Sequence, residues 1–487
     1  MPLTWPNVEE SYPLPGTPRR TAIDMRLWPK ARERTVNGLW LGDSKRKRGS
    51  SGDIYQLRLN AAFAEAFGNL PASPWMSPTF AGGGAPPGQI VVSAANAGQQ
   101  NHDLDASLFP PDFAPHYHTS ATYGALYQLL DDCKGCNREA RLYGAPLFDA
   151  SGRVDLDVLV WRREQASGQI RLEIAPQDGI ETSYSATVIE TRETANADLA
   201  AGGATQPLLF TFTNLPLGGK RYRQVWIKGT SASDKVLIQG ARFRNVTNPT
   251  GVVVTSMSEG GYRADSWIPT HAGCGPLLAL MGFDFVCIDF GVNDANAGRT
   301  PAQFKQNVQS LIMLVRAALP ECVIFLFSSE MDARAGWGGT ANHDQYAGSL
   351  RELVDENANT ILINRRRRLH RLGHVLDNEL ITGTTDRGEY AAATNYNVGD
   401  LVRPPGSAAW PMLYRNIKPY TSVSFAADGP GMSGGHNYWQ PWRYFGASIT
   451  DTTHHSAWGQ TMIAQGDVLS MLGAGPGRAG LFASRRY

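Results

Sequence analysis

Cysteine is scarce in this chain, and its scarcity excludes a fold built on disulfides. The 487 residues contain five cysteines, which are Cys133, Cys136, Cys274, Cys287 and Cys322. Five is too few for a disulfide framework in a chain of this length, and an odd number leaves at least one thiol unpaired. The spacing of Cys133 and Cys136 allows a local disulfide, but a single C-x-x-C without a second pair is weak evidence for zinc. We expect ordinary thiols or one small loop disulfide.

Long apolar runs and an excess of either charge are also absent. No run approaches the roughly 20 apolar residues that a transmembrane helix needs, and residues 1–6 show no basic stretch leading into an apolar core, as an export signal would. The 45 lysines and arginines nearly balance the 44 aspartates and glutamates. Balanced charge gives no general attraction to nucleic acid or to an anionic membrane. We therefore expect neither as a partner.

What the chain does contain is a set of short apolar runs typical of buried parallel strands. These runs do not alternate with polar residues, and they lie at 39–41, 252–254, 285–290, 323–327 and 361–363. Apolar residues with helical spacing occupy 304–319 and 458–472. Strands that alternate with helices predict a doubly wound α/β layer.

Between about residues 140 and 247 the apolar period changes to two. Apolar and polar residues alternate at 154–160, 170–174, 210–212 and 225–227, separated by turn-forming segments. Half-buried strands of this kind indicate an antiparallel β-sandwich, inserted between the first and second strands of the α/β layer. A chain of this length is also expected to form more than one domain.

Three short motifs carry the chemistry. Gly42-Asp43-Ser44 follows the first apolar run, Gly291-Val292-Asn293-Asp294 follows a central one, and Asp451-Thr452-Thr453-His454 precedes the last helical segment. Each motif alone is what an ordinary turn contains. In this order and context they resemble the SGNH hydrolase family, also called GDSL esterases. The resemblance implies a serine esterase on a three-layer α/β/α fold, with no metal or organic cofactor.

The resemblance also implies a role for each catalytic residue. A serine hydroxyl is a poor nucleophile at neutral pH, so it requires a base within hydrogen-bond reach and a third group that orients the base. Ser44 is the expected nucleophile, His454 the base and then acid, and Asp451 the group that holds the imidazole. His455 is the rival base, but the family places the base three residues after the aspartate.

An oxyanion hole is expected beside Ser44. In the family, the backbone N–H of the nucleophile, a glycine N–H and an asparagine amide together stabilise the negative charge on the carbonyl oxygen. The matching positions are Ser44, Gly261 and Asn293, with Gly260 as the alternative glycine.

The sequence also contains a basic run at 365–368. We interpret it as side chains whose aliphatic stems cover the edge of a helix or strand.

A second insert, at 386–446, resembles carbohydrate-binding module families 5 and 12. The resemblance rests on the segment 390–402, with its Tyr-x-x-Gly-Asp-x-Val pattern, followed by Tyr414, by Pro430-Gly431 and by Trp439. Tyr390, Tyr414 and Trp439 are candidate sugar-stacking residues. The alternative is that these aromatic side chains build the core of so small a module.

Together these patterns predict the layout of the chain. It comprises an N-terminal extension (1–35), a first hydrolase segment (36–139), the inserted β-sandwich (140–247), a second hydrolase segment (248–385), the glycan-binding-like insert (386–446) and a third hydrolase segment (447–487). The expected activity is removal of O-acetyl groups from an acylated polysaccharide, because a tethered glycan-binding module raises the local substrate concentration.

The location and two alternatives follow from the same features. An extracellular or virion-associated protein, such as a phage tail deacetylase, fits a glycan-directed enzyme without an export signal. A tail protein would form a homo-oligomer, expected to be a trimer. One alternative is a lipase or thioesterase of the same fold. The other is a glycan-binding adhesin or structural virion protein that does not catalyse.

Overall fold

The computed structural model describes most of the α/β layer and parts of the inserts. The described residues are 11–43, 53–75, 78–80, 90–93, 128–130, 139–142, 153–162, 169–175, 187–193, 206–216, 224–229, 236–258, 261–271, 275–329, 339–365, 368, 385–403, 405, 412–429, 438–443 and 457–473.

Strands and helices are numbered along these residues. The strands are β1 (Ser11–Tyr12), β2 (Thr35–Gly42), β3 (Pro78–Phe80), β4 (Ile90–Ser93), β5 (Gln128–Leu130), β6 (Glu139–Leu142), β7 (Arg153–Arg162), β8 (Gln169–Ala175), β9 (Thr187–Glu193), β10 (Gln206–Pro216), β11 (Gln224–Gly229), β12 (Val236–Asn245), β13 (Gly251–Ser256), β14 (Phe285–Asp289), β15 (Val323–Phe327), β16 (Thr360–Ile363), β17 (Thr385–Glu389), β18 (Asn395–Tyr396), β19 (Asp400–Arg403), β20 (Met412–Asn416), β21 (Tyr420–Thr421) and β22 (Trp439–Arg443). The helices are α1 (Pro18–Leu27), α2 (Asp53–Phe67), α3 (Ala264–His271), α4 (Gly275–Met281), α5 (Val292–Asn296), α6 (Pro301–Ala318), α7 (Gly339–Glu356), α8 (Phe425–Asp428) and α9 (Ala457–Met471), with a 3₁₀ helix at Trp28–Arg32.

Six strands form a central sheet in the order β1-β16-β15-β14-β2-β13. β2 pairs in parallel with β13 and β14, and parallel pairing continues through β15 to β16, whereas β1 is antiparallel to β16. All five apolar runs predicted as strands lie in this sheet, so that prediction is confirmed. Both faces of the sheet are buried, which is why its strands have no polar side.

Helices cover both faces of the sheet. Leu39 and Leu41 of β2 lie in a core with α3, α4, α6 and α7, whereas Val36 and Trp40 lie in a second core with α1, α2 and α9. Successive side chains of a strand point to opposite faces, so one apolar run contributes to both cores. The predicted α/β fold, with a parallel sheet between two helical layers, is therefore confirmed.

The start of α6 shows how sequence determines one of these helices. The Thr300 hydroxyl accepts a hydrogen bond from the Gln303 backbone N–H, and the Gln303 side chain accepts one from the Thr300 N–H, at 3.2 and 2.9 Å. This reciprocal capping box satisfies two N–H groups that a helix start leaves unpaired. Pro301 occupies the first helical position, where its missing N–H costs nothing. The predicted apolar face, from Phe304 to Val315, is buried.

The residues at the amino end of the described chain belong to the α/β layer. β1 adds an edge strand to β16, with Ser11 opposite Ile363, and α1 buries Ile23 and Leu27 in the core that contains Trp40. A two-residue strand has no periodic pattern, which is why the sequence analysis predicted residues 1–35 to be an extension outside the hydrolase fold.

Two further sheets lie between β2 and β13 along the chain. Their orders are β10-β7-β12-β5 and β3-β4-β6-β11-β8-β9, and every described pairing is antiparallel except that of β3 with β4. The strands predicted from period-two alternation are β7, β8, β10 and β11. Pairing in these sheets begins well before residue 140, since β4 pairs with β6. Strands of three or four residues are too short to show alternation, so the predicted boundary missed them, and the division into domains stays a prediction.

The strands in the region of the predicted insert at 386–446 form a sheet of order β17-β19-β20-β22 and a pair β18-β21. Across the described ranges, every helix is too short or too polar to pass through a lipid bilayer.

Candidate active site

The carboxyl ends of three neighbouring strands meet at one edge of the central sheet. β2 lies between β13 and β14, with Trp40 opposite Ser256 and Gly42 opposite Asp289. In open parallel sheets, ligands bind beyond the carboxyl ends of the strands. Asp43, which directly follows β2, is 2% exposed at this edge. The segments that follow β13, β2 and β14 therefore all begin at the same edge of the sheet.

Some of the predicted site residues lie outside the described part of the chain. Ser44, Asp451 and His454 are among them, as is Gly260. Their roles stay predictions. Gly261 and Asn293, which the sequence analysis assigned to the oxyanion hole, are both described.

Asn293 is presented by a short helix at the end of β14. Gly291 precedes this helix with a φ of 135°, a conformation that favours glycine. The Asn293 Nδ2 atom donates a hydrogen bond to the backbone carbonyl of Tyr262, at 3.0 Å. An amide nitrogen carries two hydrogens, so Asn293 can donate a second hydrogen bond. The contact brings Asn293 next to the segment that contains Gly261.

Gly261 is required for its backbone conformation rather than for space. Its φ is +75°, and a Cβ built at this position would meet no heavy atom within 4 Å. A side chain would therefore be strained by the left-handed backbone alone. Glycine at this position lets the chain turn between β13 and α3.

Asp294 was not assigned a role from the sequence, although it is adjacent to Asn293 in the motif. Its side chain is fully buried, and its Oδ1 and Oδ2 atoms accept from the Ala264 N–H at 3.2 and 3.4 Å. Burial raises the pKa of Asp294 to about 7; repulsion from Asp265 and Asp43 adds to this effect, while the Ala264 N–H and Arg263 oppose it. A buried carboxyl with so perturbed a pKa is typical of functional sites.

The helices that follow the two segments with the predicted catalytic residues contact each other. Tyr55 is in the first turn of α2, which follows the Ser44 segment, and Gln460 is in the first turn of α9, which follows the Asp451 to His454 segment. The Tyr55 backbone N–H donates to Gln460 Oε1 at 3.0 Å. The fold therefore brings the flanks of both segments together.

A buried network of charges lies beneath this edge of the sheet. Arg365, fully buried, donates to Asp289 at 2.7 Å and to Asp467 at 2.8 Å. Arg368 also donates to Asp467, at 2.9 Å. Tyr55 completes the network through its hydroxyl, which donates to Asp467 at 2.7 Å. Asp289 ends β14 and Asp467 lies on α9, so the network joins the sheet to the last helix.

This network corrects the interpretation of the basic run at 365–368. Arg365 and Arg368 do not cover an edge with their stems; their charged groups are buried and paired. The sequence gives no sign of this, because the two carboxylates lie 76 and 102 positions from Arg365.

The aromatic side chains of the small module form its core. Tyr390 and Trp439 are 6% and 3% exposed, whereas Tyr414 is half-buried. The Tyr390 hydroxyl donates to Asp428 at 2.5 Å and the Trp439 Nε1 donates to the Tyr420 hydroxyl at 2.6 Å. This burial fits the alternative that the rings build the module, and sugar binding by these residues stays a prediction.

Within the described ranges, no group of three or more histidine, cysteine, aspartate or glutamate side chains could hold a metal ion. Cys287 and Cys322 are free and buried. Burial raises the pKa of the Cys322 thiol to about 11, so it remains protonated and unreactive at neutral pH.

Comparison with known proteins adds a family match and similar solved structures. Residues 238–380 match the model of the GDSL-like lipase/acylhydrolase family. A solved peptidoglycan O-acetylesterase is 14% identical, with a TM-score of 0.54, over 94% of this chain and 97% of that one. A family two carbohydrate esterase from Clostridium thermocellum, in complex with cellohexaose, is 10% identical over 50% of this chain and 82% of that one, but its TM-score of 0.22 carries no argument. No curated protein matches the sequence.

Proposed function

We propose that the chain removes O-acetyl groups from a polysaccharide. The match of residues 238–380 to the GDSL-like lipase/acylhydrolase family supports an ester hydrolase. The reaction proceeds through an acyl-serine intermediate on Ser44. The observation that carries the proposal is that the carboxyl ends of β13, β2 and β14 are adjacent. At this edge the Asn293 side-chain amide donates a hydrogen bond to the segment that contains Gly261.

The first half of the reaction transfers the acetyl group to the enzyme. His454 removes the proton from the Ser44 hydroxyl as its oxygen attacks the ester carbonyl carbon, and Asp451 orients the imidazole. The carbonyl oxygen becomes negative in the tetrahedral intermediate. When the intermediate collapses, the ester bond to the sugar breaks, and His454 returns the proton to the departing sugar oxygen.

The second half releases acetate. His454 removes a proton from water, whose oxygen attacks the acetyl-serine carbonyl carbon. The bond from this carbon to Ser44 Oγ then breaks, acetate leaves, and His454 returns the proton to Oγ. In both halves the negative oxygen accepts from the Ser44 and Gly261 N–H groups and from the Asn293 amide. Donors that are already in place stabilise this charge without reorganising, which is a large part of the catalysis.

A polysaccharide is the preferred substrate class for two reasons. The solved structure with the shared fold is a peptidoglycan O-acetylesterase, so that fold accommodates acetylated glycans. The small module resembles glycan-binding modules in its sequence. Tyr390, Tyr414 and Trp439 stay the candidate sugar-stacking residues of this proposal, and the burial of Tyr390 and Trp439 favours the alternative that they build the core of the module.

We assign the protein to an extracellular or virion-associated location, as expected for an enzyme acting on a surface polysaccharide. A phage tail deacetylase is the specific form of this proposal, and a trimer is the expected assembly in that case. Size determination in solution, by light scattering, would support a trimer or remove that form of the proposal.

Acyl chain length separates the proposed activity from its lipase alternative. Acetyl esters are expected to be hydrolysed at least about tenfold more efficiently than butyryl or longer esters, because a pocket shaped for acetyl gains nothing from methylenes that it cannot enclose. The kcat/KM values of a series of aryl esters measure this. Acetate release from O-acetylated peptidoglycan and xylan then identifies the polymer. Efficiency that rises with chain length would favour a lipase or thioesterase instead.

Asn293 provides a direct test of the oxyanion hole. Asn293→Ala is expected to lower kcat about a hundred- to a thousandfold while KM changes little, because the lost donor acts mainly in the transition state. The measurement is steady-state hydrolysis of an aryl acetate. Asn296→Ala is the matched control, since Asn296 lies on the same helix but is exposed. A near-normal kcat in Asn293→Ala would remove this residue from the hole.

A further inference from the structure

Asn293 and Asp294 bind the same short segment through bonds of opposite polarity. The Asn293 amide donates to the Tyr262 carbonyl at 3.0 Å, and the Asp294 carboxylate accepts from the Ala264 N–H at 3.2 Å. The Tyr262 carbonyl and the Ala264 N–H belong to residues on either side of Arg263. Because the groups face the same helix, α5, the bonds restrain both the translation and the rotation of the segment 261–264.

The Asp294 carboxylate also caps the start of α3. Ala264 is the first residue of α3, and its N–H has no partner within the helix. Further contacts tie this turn to its surroundings, since Asp265 forms ion pairs with Arg263 at 2.7 Å and with Arg299 at 2.5 Å. None of these ion pairs reaches the Ala264 N–H, so the capping bond belongs to Asp294.

A carboxyl at this position is costly for the fold. Asp294 is fully buried and lies near two other acidic residues, Asp43 and Asp265, with Arg263 as the opposing charge. Neutral side chains would avoid this desolvation and repulsion. What the side chain contributes here is an acceptor for the Ala264 N–H, at a cost in stability rather than a gain.

We propose that Asp294 is a positioning residue, which holds the segment 261–264 so that the Gly261 N–H and the Asn293 amide point to the same oxyanion. This inference rests on the proposed function for its effect on catalysis. Its structural part, the restraint of residues 261–264 by the Asp294 acceptor, does not depend on that function. Asp294 touches no reacting atom in this assignment.

Two substitutions of Asp294 with similarly branched side chains distinguish the effect of the hydrogen-bond acceptor from the effect of side-chain volume. Asp294→Asn keeps an oxygen that accepts from the Ala264 N–H, whereas Asp294→Leu has no acceptor. We expect Asp294→Leu to lower kcat about 10- to 100-fold with KM within about threefold, because a small displacement of a catalytic donor has effects of this size. Asp294→Asn is expected to stay within about threefold of the unmodified chain. Asp294→Ala, measured in parallel, shows whether the bulk of leucine matters.

Backbone hydrogen exchange provides a readout that is independent of activity. Loss of the bond to the Ala264 N–H is expected to speed exchange in residues 261–264 about tenfold in Asp294→Leu and Asp294→Ala, but not in Asp294→Asn. Asp284→Leu is the control for general destabilisation. Asp284 lies at the opposite end of β14, where it accepts from the Asn37 N–H at 3.0 Å and pairs with Arg34, so loss of its carboxylate should lower stability without slowing turnover.

The outcomes decide between the alternatives. Equal kcat losses in Asp294→Asn and Asp294→Leu would overturn the proposal, because charge rather than the acceptor would then matter. An unchanged kcat in Asp294→Leu, or unchanged exchange at residues 261–264, would overturn it as well. If Ser44→Ala retained full hydrolysis, the proposed function would fail, yet faster exchange in Asp294→Leu would still support the restraint.

Discussion

Alanine in place of Ser44 is expected to reduce ester hydrolysis at least about ten-thousandfold. The acyl-serine route cannot begin without the hydroxyl, and the remaining oxyanion donors accelerate only the direct attack of water. Acetate release from an acetylated polysaccharide, measured at equal protein concentration, gives this ratio. Fold integrity is checked by thermal unfolding, so that a loss of activity is not mistaken for a loss of structure.

Histidine variants provide the matched comparison. His454→Ala should lose about as much activity as Ser44→Ala, since the two residues act as a unit. His455→Ala should retain much more, because the family resemblance places the base three residues after the aspartate. Equal losses in both histidine variants would mean that the base is assigned to the wrong register.

A fluorophosphonate probe tests the same nucleophile without a substrate. The intact chain is expected to be labelled, and Ser44→Ala is not, because the probe reacts with a serine only when a base activates it. A non-catalytic adhesin would not be labelled even when intact. Retained labelling in Ser44→Ala would point to a different nucleophile.

Methionine in place of Arg365 is expected to lower the free energy of unfolding by about 3–5 kcal/mol. The substitution leaves Asp289 and Asp467 buried without the cation that both contact, and an uncompensated buried charge is strongly destabilising. Arg368 still reaches Asp467, so most of the loss arises at Asp289. Unfolding in urea, followed by tryptophan fluorescence, measures the change.

Arg26→Met is the control for Arg365→Met. Arg26 forms an ion pair with Glu321 on the surface, where its side chain is 40% exposed, and such pairs contribute about 0–1 kcal/mol. A loss below about 1 kcal/mol in Arg365→Met would show that the two carboxylates are neutralised in another way. Because Asp467 lies on α9, a destabilised network would also loosen the helix that follows His454.

The α/β layer was predictable because its information is local. Each of its five predicted strands is apolar apart from Asp289 at the end of β14, and α6 combines a capping box at Thr300 with an apolar face that begins at Phe304. A run that is apolar on both sides can only be buried on both faces, so the layer architecture follows from the strands. The edge strand β1, with two residues, has no such pattern and was missed.

The predicted insert at 386–446 shows what local sequence patterns do not predict, which is whether an aromatic side chain is buried or exposed. Its motif indicated a glycan-binding-like module, but an aromatic residue has the same pattern in a core and on a binding face. Only the packing distinguishes them, and it places Tyr390 and Trp439 against Tyr420 and Asp428.

By itself, the sequence determined the parallel α/β layer, and it predicted Gly261 and Asn293 as oxyanion residues, since strand periodicity and short motifs depend only on neighbouring residues. The tertiary structure decided what Asp294 and Arg365 do. Their partners lie 30 to 102 positions away in the chain, and burial removes the water that would otherwise satisfy these charges. Without water, a buried charged group depends on its protein partners for stability, and this burial exists only once the chain has folded.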